Sequence, residues 1–235
     1  VFALTTDQAK ALTTDQTSGL TVSQTPVFRG VDLAQLSSDA LRAITTTAFT
    51  GLSTDAVQNL SSTQASNLTT DQVFALTTDQ AKALTTDQTS GLTTSQAAVL
   101  KGTNLAQLSS DALRAITTDA FAKLNQTELL GLTSTQVGKL TTQQVVALTT
   151  TQANVLGSDE TSGLTAGQAG SLDGEDLAKL SSDALRAITT NALEKLTTNA
   201  VQSLSSTQAS KLTTDQVKAL TTDQAKALTT DQTSG

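Results

Sequence analysis

The densest cluster of oxygen ligands in the chain is Asp173, Glu175 and Asp176, with Asp159 and Glu160 shortly before it. Carboxylates grouped this way could hold Ca²⁺, a hard cation bound through oxygen. The run lacks the close Asp spacing of a calcium loop, so a solvated acidic turn is the plainer reading. Carboxylate pairs suited to glycoside hydrolysis can be drawn at many points among 21 acidic residues and therefore discriminate nothing. His, Cys, Met, Trp and Tyr are all absent. A Ser or Thr nucleophile would lack its usual histidine base, and soft metals would lack thiolate and imidazole. The composition argues against an enzyme and implies no cofactor.

Charge narrows the partners. A net charge of −7 and 14 scattered basic residues leave no cationic patch for nucleic acid or an anionic membrane. No apolar run approaches the ~20 residues of a membrane span. Absence of Cys is compatible with export. No signal peptide is visible, and a start at Val1 suggests a mature product or a piece of something longer. Phe2 and Phe74 stand where polar residues are usual, which makes them candidates for lateral contacts between packed arrays. The sequons at Asn59 and Asn67 fall out of the repeat grammar and carry little information.

The elements that position these residues follow from an octad. Written in eights from Val1, the chain gives 29 full octads and three further residues, without insertion or deletion. The fourth position is always Leu, Ile or Phe, and the fifth is Ser or Thr in 24 octads. The eighth is Gln in 16 octads and Ala in 8. A larger period overlies this one: SSDALRAITT recurs unchanged at Ser37, Ser109 and Ser181, spaced by 72 residues. The organisation is thus three super-repeats, 1–72, 73–144 and 145–216, and the start of a fourth at 217–235, in one continuous solenoid.

One long helix is excluded, because a Leu row with period eight would drift about 80° per octad around the axis. Strands are disfavoured by the missing alternation and by a Leu, Ala, Gln and Lys composition. Helix starts, however, are written into every octad. In Leu76-Thr77-Thr78-Asp79-Gln80-Ala81, Thr77 and Gln80 form a capping box, and Leu76 and Ala81 form the staple across it. Asp79 falls at the positive end of the helix dipole. Where the eighth residue is Ala the box is lost, and a heavier staple follows, as at Ala40-Leu41 and Ala48-Phe49.

Helices this short are unstable alone, since nucleation is costly below about 12 residues. They persist only by stacking. The expected fold is therefore all-α: an α-solenoid of one-octad helices, with a β-solenoid as the alternative. Nine octads per super-repeat divide by three, so three helices per coil are expected. Its core includes Leu4, Leu12, Leu76, Leu84, Ile116, Ile188 and Leu228; its caps include Thr5, Thr77, Thr85, Ser109 and Ser181. The fourth octad of each super-repeat departs from the pattern at Arg29-Gly30, Lys101-Gly102 and Asp173-Gly174. Glycine there suggests a widened turn using φ > 0.

The ALTTDQ-type octads resemble the tandem-repeat regions of giant bacterial secreted or cell-surface, adhesin-like proteins. That resemblance spans the chain and implies an extended, extracellular role with no catalytic residues. The expectation is a structural segment of a fibre, filament or stalk, self-associating or continuing the same array. A binding solenoid recognising carbohydrate, ice or protein is the alternative.

Overall fold

The computed structural model describes residues 4–234. Among them are 28 α-helices of four to six residues, one 3₁₀ turn at Thr25–Val27, and no strand. The fold is an all-helical α-solenoid, and the β-solenoid alternative is removed. The reason lies in the caps. Thr77 has extended backbone (φ −74°, ψ 162°) and its hydroxyl accepts from Gln80 N, while Gln80 Oε1 accepts from Thr77 N at 3.0 Å. Ala81 N then donates to Thr77 O at 2.9 Å, which closes the first turn. The helix stops at Leu84, which returns to extended backbone (φ −61°, ψ 133°), and the next cap, Thr85, follows at once. Two consecutive extended residues therefore make this corner. An N-cap of this kind contributes about 0.5–2 kcal/mol, too little to hold five or six residues without neighbours.

Stacking supplies the remainder. The chain divides into two compact units, Val1–Leu124 and Asn125–Gly235. In the first, the Thr86–Ser90 helix packs on Ser62–Asn67 and on Ser110–Ala115. In the second, Ser158–Ser162 packs on Ser134–Lys139 and on Ser182–Ala187. Partners start 24 residues apart, so each coil holds three helices. From Ala9 to Val201 the first position of each octad lines the interior, and its size follows the coil. In the first unit Ala9, Thr17 and Thr25 make a small layer, Leu33, Leu41 and Phe49 a large one, and Val57, Ala65 and Val73 an intermediate one, all at most 2 % exposed. Ala81, Thr89 and Ala97 begin the cycle again. Three coils of unlike volume are the physical content of the 72-residue period, since close packing rewards alternation of small and large layers.

Coils also meet through glycine. A Cβ on Gly163 would overlap Ser134 O, with Ser134 Cα at 2.8 Å, although its φ of −80° suits any residue. Gly163→Ala is therefore expected to lower the stability of the second unit by about 1–3 kcal/mol through overpacking. Urea unfolding followed by circular dichroism measures it. A stabilised variant would mean that helix propensity outweighs the clash.

Candidate interaction surface

The three departing octads occupy one slot of the super-repeat, and each fills it differently. In the first, Arg29 replaces the Thr cap and holds wholly buried Asp32, with Nε 2.7 Å from Oδ2 and Nη2 2.8 Å from Oδ1. The same guanidinium reaches Leu4 O at 3.2 Å, and Gly30 N donates to Asp55 Oδ2 at 2.8 Å. Hydrogen bonding from Arg29 lowers the Asp32 pKa, against the opposing effect of burial. In the second, Asn104 Nδ2 donates to Leu76 O at 2.9 Å, and the Lys101 ammonium lies 4.2 Å from the Phe74 ring centroid. In the third, Asp173 Oδ1 accepts from Asp176 N at 2.8 Å. Burial first, and then the Asp173 charge, pushes the Asp176 carboxyl up to about 6.

Glycine in this slot serves close approach rather than a left-handed turn. No described residue has positive φ. A Cβ on Gly30 would overlap the Asn59 side chain, and one on Gly174 would overlap Ser203 Oγ. The expected widened turn is replaced by a tighter contact with the following coil.

Among the described residues no three carboxylates are grouped to hold a metal; Asp173 caps its helix, and Asp176 is buried. Phe74 is 53 % exposed and borders an open cleft of about 570 Å³ with Thr46, Thr47, Thr50, Asp71 and Lys101. Phe2 lies outside the described residues. Among the described residues no helix is long and apolar enough to cross a membrane.

Leu76, Leu84, Ile116 and Ile188 are buried, at most 6 % exposed. Leu4, Leu12 and Leu228 are half-buried, lying in coils with a described neighbour on one side. The hydroxyls of Thr5 and Thr85 accept from Gln8 N and Gln88 N, and those of Ser109 and Ser181 from Ala112 N and Ala184 N.

A second role for the eighth-position glutamine was not read from the sequence. Gln72 Nε2 donates to Leu41 O at 2.9 Å and Ile44 O at 2.8 Å, 31 and 28 residues earlier. Gln80 does the same to Phe49 O and Leu52 O, and in the second unit Gln216 reaches Leu185 O and Ile188 O. Each amide thus accepts at its own helix start and donates to two carbonyls at a helix end one coil below, the earlier of which, as at Leu41 and Phe49, also accepts a backbone N–H. A capping box tolerates Glu as readily as Gln. The 16 Gln against two Glu at this position, Glu128 and Glu160, were the available signal that a donor is required.

What these residues can do together is fasten coil to coil and present hydroxyls, carboxylates and an occasional apolar side chain outward. No match to a curated protein was found. Residues 193–222 match the ALTTAQ repeat family, so this segment is similar to a known repeat class that the octad grammar extends along the chain.

Proposed function

We propose that the chain is a non-catalytic structural segment of an extracellular or surface fibre, filament or stalk, in which length is the working property. The inter-coil amide ladder is the observation that carries this reading. Wherever the eighth residue is Gln it fastens coil to coil through backbone carbonyls, so the same joint can be reused as layers are added. Self-association, or continuation of the same array, is the partner this arrangement suits, since a repeating stack is open-ended by nature. The adhesin-like setting comes from the resemblance of the octads and belongs to the same proposal.

The expected result is a linear dependence of length on repeat number. Helices pack roughly 8–10 Å apart, so a 72-residue unit of three coils adds about 24–30 Å. Electron microscopy of arrays with three, six and twelve units should show particles of constant width whose contour length rises by that increment. Globular particles whose diameter grows with repeat number would sink the reading.

A second reading rests on the Phe74 cleft. An exposed aromatic ring beside hydroxyls, Asp71 and Lys101 offers a stacking face and hydrogen-bond partners to a sugar. Glycan-array binding abolished by Phe74→Ala would favour a binding solenoid over a passive spacer.

A further inference from the structure

Asp176 sits at the position where the stack elsewhere places an amide donor. Its counterpart one super-repeat earlier, Asn104, donates to Leu76 O, 28 residues before it. Within the second unit, Gln168 donates to Leu140 O at 2.8 Å and Gln208 to Leu180 O at 2.7 Å, with the same separation of 28. The same register would set Asp176 opposite the carbonyl of Leu148, at the corner that precedes the Thr150–Val155 helix. An ionised carboxylate has no proton to donate there, whereas a carboxylic acid does.

We propose that Asp176 is a proton-operated fastener: protonated, it donates across the coils as Asn104 does, and ionised, it leaves that joint without its donor. The surroundings favour the proton. Asp176 is 6 % exposed, and Asp173 and Glu175 share its helix end. The helices packed against Gly174–Lys179 are Thr150–Val155 and Thr198–Gln202, and neither contains a charged residue. Lys179 follows three residues later in the last turn of the same helix, and the charges that move the Asp176 carboxyl are those of Asp173 and Glu175. Contrast the first super-repeat, where Arg29 pairs with Asp32 and keeps it ionised.

The direction with pH follows from linkage. The carboxyl titrates at 3.8 when unperturbed and at about 6 in the fold, so the folded state holds the extra proton between these values. Its contribution is full below the lower value, declines as pH rises through the upper one, and is constant above. The test compares the chain with Asp176→Asn, which installs the residue native at position 104. From pH 4 to pH 7.5 the folding equilibrium constant of the second unit should fall roughly ten- to a hundredfold relative to the Asn variant. Carbon-detected NMR should place the Asp176 carboxyl titration near 6 and show it lowered in Asp173→Asn, which retains a good cap. Asp176→Ala, which removes donor and acceptor together, should cost stability at pH 4 and erase the pH-dependent difference. A ratio independent of pH, or a carboxyl titrating near 4, overturns the proposal.

Discussion

Gln80→Ala is expected to destabilise the first unit by about 2–5 kcal/mol, more than a surface cap residue should. The variant removes the acceptor for Thr77 N, a loss of about 0.5–2 kcal/mol on the scale of N-capping. It also strips the donor from Leu52 O, a buried bond at 2.9 Å, and one of the donors from Phe49 O, which keeps Leu52 N at 3.1 Å. An unsatisfied buried carbonyl costs about 1–3 kcal/mol, and water has little access to this joint, where Gln80 itself is 2 % exposed. Gln80→Glu separates the two roles. It keeps the acceptor of the capping box and loses the amide donor, so a destabilisation close to that of Ala at neutral pH, partly relieved in acid, assigns most of the effect to the carbonyls. Chemical unfolding monitored by circular dichroism gives both values. A loss below about 1 kcal/mol for Gln80→Ala would reduce the glutamine to an ordinary cap.

That pair of roles shows where the sequence was readable. The helix starts were legible because capping is local: Thr77, Asp79 and Gln80 declare it within four residues. Three helices per coil were legible as arithmetic, since a period of nine octads must preserve facing. The interior layering was harder, because Thr25 and Phe49 are one coil apart and look unrelated along the chain. In the fold both are wholly buried, and Thr25 Oγ1 donates to Ala48 O at 2.8 Å, so a polar residue counts as core. The glycine slot was misread for a similar reason. Gly30 looked like a turn residue, but its constraint comes from Asn59, 29 positions later. Acidic residues 173–176 suggested a ligand set by composition, whereas one of them caps a helix and another is buried at a joint. Features fixed by neighbours in sequence were visible; features fixed by the next coil required the coil to be known.

Leu76→Asp tests whether the array stands by stacking, and it should unfold much more than one octad. Leu76 is 3 % exposed at the corner between the Thr70–Ala75 and Thr78–Ala83 helices. Placing a carboxyl group in that buried apolar site costs several kcal/mol even when it takes up a proton. Leu76→Ala provides the graded comparison, at about 2–5 kcal/mol for the lost transfer energy and the cavity. The two helices flanking Leu76 pack on Thr46–Thr50 and Thr54–Gln58 on one side and on Thr94–Ala97 and Gly102–Leu105 on the other. None of these segments is long enough to survive alone. Amide hydrogen exchange in Leu76→Asp should therefore lose protection across all six helices together. Asn104 should lose its order as well, since its amide donates to the carbonyl of the substituted residue. Protection lost only between residues 70 and 83 would mean that each octad carries its own stability, and the cooperative stack would have to be abandoned.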